Sequence, residues 1–100
     1  MKFIIKGALK ENVYNLMRGI GYYFLKKEDA ELVFIRPLNV KGYPRFHIYL
    51  RIDEDKDEII FNLHLDQKKP SYEGVSAHSG EYEGKIVETE RERIKQILER

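Results

Sequence analysis

Three histidines, His47, His64 and His78, are the residues of this chain best suited to chemistry, because the chain has no cysteine and histidine is the side chain that changes charge nearest neutral pH. His47 lies in RFHIYLR, residues 45–51, and His64 in NLHLD, residues 62–66. Both stretches alternate polar and apolar residues, the period of a strand with one apolar face. Joining them as a hairpin about Asp55 and Lys56 places His47 opposite His64, Tyr49 opposite Asn62 and Arg45 opposite Asp66. Side chains paired in this way have Cβ atoms ~4.5–5.5 Å apart. His47, His64 and Asp66 are therefore the candidate catalytic residues, as ligands of one metal ion or as acid and base groups. Arg45 and Arg51 would bind an anion, and Tyr49 and Asn62 would line the substrate site. Two imidazoles and a carboxylate suit zinc, nickel or manganese, so a divalent metal is the candidate cofactor.

The segment 67–84 starts directly after Asp66 and has no clear period. Irregular segments of this length are uncommon in compact domains and are usually functional or disordered. An ordered loop folding back over the polar face would add His78 and Glu81 to the candidate metal ligands. It would also bring Tyr72 and Tyr82 as substrate-binding residues. With Lys68 and Lys69, these tyrosines interleave basic and aromatic groups, which suits phosphate contact and base stacking. The same polar residues also suit an ordinary solvated sheet face, on which Arg45 and Asp66 would form a surface ion pair worth under ~1 kcal/mol. No glycine-rich phosphate loop and no nucleophile elbow is present.

Positioning these residues requires a sheet. Lys2 to Lys6 reads as a first strand. Val13, Leu16, Met17 and Ile20 form one apolar helical stripe, ended by Gly19 and Gly21. Tyr22 to Lys27 and Leu32 to Arg36 read as a hairpin, with Pro37 stopping the second strand or marking an edge. Residues 38–44 read as a loop. The strands Arg45 to Ile52 and Ile59 to Asp66 follow, pairing Ile48 with Leu63 and Leu50 with Phe61. A final helix runs from Lys85, with Val87, Ile94, Ile97 and Leu98 on one side. Glu90 falls inside that stripe, where the spacing predicts that its carboxylate reaches water. The expected fold is α+β, a two-layer and mostly antiparallel sheet of about five strands in the order βαββββα. Both helices would cover its apolar face.

One hundred residues make a single domain, residues 1–100. With 42% hydrophobic residues the chain can bury a core and is not a disordered tail. No apolar run approaches the ~20 residues of a membrane span, and residues 1–12 are too briefly apolar for a secretory signal. Together with the lack of cysteine, this predicts a soluble cytoplasmic protein without a membrane partner. The net charge is only +1 but unevenly placed. Residues 1–27 hold six basic groups against one acidic, a net +5, and residues 51–66 hold two against six, a net −4. This is not the charge pattern of a non-specific nucleic-acid binder.

The stretch HLDQKKPSYEGVSAHSGEYEG, residues 64–84, resembles one found in small archaeal and bacterial proteins with no assigned activity. That resemblance runs from about Gly42 into the last helix and implies a family without implying a reaction. A second resemblance covers about a third of the chain. The helix ending at Gly21 and Tyr22, the strands after it and Phe46-His47-Ile48-Tyr49 are similar to HicA-type messenger-RNA interferase toxins. Those toxins have a fold like double-stranded-RNA-binding domains and carry a catalytic histidine just after a Gly-Ser pair. Pro44-Arg45 stands in that place here, which aligns Phe46 or His47 with the toxins' histidine.

Two functions follow. The first is hydrolysis, metal-assisted or histidine-based, of a phosphoester. The second is a non-catalytic module binding RNA or a protein partner through the sheet face and the 67–84 segment.

Overall fold

The computed structural model describes residues 1–67 and 80–99, apart from the side chains of residues 80–83. The elements are β1 (Lys2–Lys6), α1 (Val13–Gly19), β2 (Tyr23–Glu28), β3 (Glu31–Pro37), β4 (Arg45–Asp53), β5 (Glu58–Asp66) and α2 (Gly80–Leu98). The five strands form one antiparallel sheet in the order β1-β5-β4-β3-β2, so the expected α+β class and βαββββα order hold.

Local chemistry sets the boundaries. The Asn12 side chain accepts hydrogen bonds from the Tyr14 and Asn15 amides and caps α1, satisfying N–H groups that the first helical turn leaves without partners. Gly21 leaves the helix at φ +97, a conformation that glycine adopts without a Cβ clash. Asp29 and Asp57 take positive φ in the β2–β3 and β4–β5 turns, a role short polar side chains tolerate.

Pro37 ends β3 opposite Arg45, but β3 is an interior strand, paired on both sides. Only its last position lacks a donor. The edges are β1 and β2, and all residues of β2 are exposed. A bulge between Phe24 and Lys26, with Lys26 and Lys27 after it, makes the β2 edge a poor template for further strands.

The β4–β5 register is the one expected: His47 faces His64, Tyr49 faces Asn62, Arg45 faces Asp66, Ile48 faces Leu63 and Leu50 faces Phe61. A shift of one residue would turn a whole apolar set to the other face. Ile48, Leu50, Phe61, Leu63 and Phe34 join Leu16 and Met17 of α1, Ile20 just after it, and Val87 and Ile94 of α2 in a single buried cluster. Both helices therefore pack on the same face of the sheet. Phe3 stacks on the fully buried Phe61 with ring centroids 4.8 Å apart. Phe61→Ala is expected to cost about 3–5 kcal/mol of stability. A urea titration whose midpoint moved by less than ~1 kcal/mol equivalent would show that this core can collapse around the gap.

Two expectations need correction. α2 begins at Gly80 rather than near Lys85. Gly84, a weak helix former by ~1 kcal/mol, hides that first turn from a propensity reading. Glu90 does not reach water; it is 4% exposed and held by partners from three other positions. The Tyr22 hydroxyl donates to it at 2.7 Å, Arg36 Nη1 at 3.2 Å to both oxygens, and Arg93 through Nε at 2.7 Å and Nη2 at 2.9 Å. Burial, followed by the charge of Glu90, pushes the Tyr22 hydroxyl above the ordinary tyrosine range. Among the described residues no helix is long and apolar enough to cross a membrane.

Candidate functional site

The face of the sheet opposite the helices carries Arg45, His47 and Tyr49 from β4 beside Asn62, His64 and Asp66 from β5, since alternate residues of each strand point the same way. This face is not uniformly solvated. His47 is 8% exposed and Asp66 5%, whereas Arg51, two residues beyond Tyr49, is exposed.

Asp66 is the hub. Its Oδ2 lies 2.8 Å from His47 Nδ1 and 3.2 Å from Arg45 Nε. A carboxylate held by a guanidinium accepts, so Nδ1 of His47 is the donor. Neutral His47 then carries its lone pair on Nε2, the nitrogen pointing away from Asp66. The Arg45 guanidinium in turn lies 4.7 Å over the Tyr43 ring, a cation–π contact that fixes it from behind.

The two imidazoles stack, with centroids 5.0 Å apart and planes 28° from parallel. Tyr49 meets His47 edge-on at 5.2 Å and His64 at 6.3 Å. Two nitrogens sharing a tetrahedral metal at ~2.0–2.1 Å each must converge on one point. Stacked rings present theirs side by side. Among the described residues no group of three or more histidine, aspartate or glutamate side chains is arranged to hold a metal ion.

No protein-family model, curated protein or solved structure matches the chain. The geometry of the site is thus what carries a functional reading.

Of the residues picked out from the sequence, His47, His64, Asp66, Arg45 and Tyr49 come together. Asn62 is half-buried opposite Tyr49 and beside Lys2 of β1. Arg51 does not join them, because it faces Ile60 and its Nε donates to Glu31 of β3 at 3.3 Å. His78 and Tyr72 lie outside the described residues, as do the side chains of Glu81 and Tyr82. Of the 67–84 loop expected to fold over this face, residues 68–79 lie outside the described residues and residues 80–84 are helical, which leaves Gln67. The amide nitrogen of that residue, directly after Asp66, is buried without a hydrogen-bond partner among the described residues. Tyr43 was not legible as a site residue, since it belongs to an irregular loop, although its place two residues before Arg45 was a usable signal.

Proposed function

We propose that this chain hydrolyses a phosphoester by histidine acid–base chemistry. His47 takes a proton through Nε2 from a water that attacks phosphorus, while Asp66 holds its Nδ1–H and stabilises the imidazolium that forms. His64, stacked beside it and protonated for this step, gives its proton to the leaving oxygen as the bond from phosphorus to that oxygen breaks, and proton exchange with solvent resets both imidazoles. Arg45 supplies positive charge to the phosphoryl oxygens through the guanidinium nitrogens that Asp66 does not use. The observation that carries this reading is the 2.8 Å contact between His47 Nδ1 and buried Asp66 Oδ2. It orients an imidazole that an ordinary surface histidine would leave free to turn. The resemblance of Phe46 to Tyr49 to the toxin motif adds support at His47. We place the activity in the cytoplasm, where a chain without cysteine needs no oxidising surroundings.

Release of p-nitrophenol from bis(p-nitrophenyl) phosphate tests the reading. The wild-type rate is expected to be bell-shaped in pH, with His47→Ala lowering it by about 10²–10⁴ and His64→Ala removing one limb of the bell. A rate unchanged in His47→Ala would end the proposal. Turnover abolished by a chelator and restored by zinc would instead favour the metal-assisted route. Binding of an RNA oligomer without cleavage would favour a binding module, a reading supported by the basic and aromatic groups of this face.

A further inference from the structure

We propose that Arg36, flanked by Gly21 and Arg93, is a binding site for an oxyanion, either a carboxylate or a phosphate, on the helix side of the sheet and separate from the histidine site. Glu90 has two guanidinium partners. Arg93 places Nε on one of its oxygens and Nη2 on the other, and Tyr22 adds a third donor at Oε2. That pairing is the two-pronged one in which guanidinium and carboxylate fit best. Arg36 comes to a carboxylate already well served. It reaches Glu90 with Nη1 alone, split evenly at 3.2 Å between the two oxygens.

Two guanidinium charges therefore share one carboxylate, a net +1, with Tyr22 as a neutral donor. The surplus is not sealed in the core, since the Arg36 side chain is 30% exposed against 4% for Glu90. Among the described residues nothing accepts from the Nε and Nη2 edge of Arg36. That edge is the fork that binds carboxylate and phosphate oxygens in pairs. Gly21 leaves room at the Nε end of the side chain, since a Cβ there would lie 3.2 Å from Arg36 Nε and 3.4 Å from its Cδ. A brace for Glu90 alone would require neither the open fork nor the second cation.

The test is an NMR titration of the wild-type chain, following the Arg36 Nε–H and Gly21 amide resonances. Sodium phosphate, sodium acetate and sodium chloride are added at matched ionic strength. The expected result is a saturable shift of both signals, with an affinity on the order of millimolar, in phosphate, acetate or both. Movement in phosphate alone assigns a phosphate site, and movement in acetate assigns a carboxylate site. Arg36→Lys keeps the charge but loses the fork, and should weaken binding at Gly21 by about tenfold or more. Shifts no larger than those in chloride would overturn the proposal, as would full retention in a folded Arg36→Lys. The wild-type titration decides alone if that variant does not fold.

Discussion

Glu90→Ala is expected to be among the most destabilising single substitutions in this chain, lowering stability by about 3 kcal/mol or more. Removing one partner of a buried ionic cluster typically costs ~3–5 kcal/mol, because the remaining charges lose their counter-charge. Here Arg36 and Arg93 are each about one-third exposed and can turn partly to water, so the low end of the range applies. For a domain of this size, 3 kcal/mol corresponds to a fall of ~12–24 °C in melting temperature. Glu90→Gln, which preserves the volume, should lose less. A melting temperature within a few degrees of wild type for Glu90→Ala would mean that the cluster is decorative.

The same cluster predicts an alkaline limb. The hydroxyl of Tyr22 is held above its ordinary value in the folded chain, so the stabilisation is complete below about pH 10, the unfolded tyrosine value. Above that, the unfolded chain releases a proton that the folded chain keeps, and stability falls. Urea unfolding at rising pH should show this loss in wild type, with a shallower slope in Tyr22→Phe.

The second large effect is expected at Asp66. Asp66→Asn preserves shape, and its one oxygen can still take the place of Oδ2, to which Arg45 Nε and His47 Nδ1 both donate, but the negative charge is lost. Two hydrogen bonds to a charged acceptor then become bonds to a neutral one in a buried place, a loss of about 1–3 kcal/mol of stability, and the carboxamide can also turn its nitrogen to His47 Nδ1 and favour the other tautomer. Under the proposed chemistry the rate should drop by about 10²–10⁴, because His47 is no longer fixed with its proton on Nδ1. Nitrogen-15 NMR of the imidazole tests this without any substrate. Wild-type His47 should be protonated on Nδ1 when neutral, and the variant should be a mixture of tautomers. Wild-type His47 protonated on Nε2 would remove the basis of the acid–base proposal.

The hairpin that carries the site was legible because both of its strands alternate strictly, and a period of two fixes which face each side chain takes. Centring the hairpin on its acidic turn led to the register found, although a slip of two residues would have kept every side chain on the same face. Legibility stopped at contacts that are not straight across. Pairing puts Arg45 opposite Asp66, but the shorter and more telling contact runs diagonally from Asp66 to His47. Cross-strand counting gives no rank to such a diagonal, since it depends on side-chain rotamers. The Glu90 cluster was illegible for another reason. Periodicity placed Glu90 in the apolar stripe of its helix, but its partners Tyr22 and Arg36 are 68 and 54 residues away. Nothing local marks residues so distant in sequence as neighbours.

The strand order also dictates how the sheet can assemble. From β2 to β5 each strand lies beside the next in the chain, across connections of at most the seven residues 38–44. β1 is different, because it pairs with β5 across the whole of residues 7–57. Closing that span rather than a turn of a few residues costs about 2 kcal/mol more in chain entropy. The four-strand meander can form from near neighbours, while β1 must wait until β5 is in place to receive it. Until then β5 presents an open edge, and the stacking of Phe3 on Phe61 is the seal that closes it.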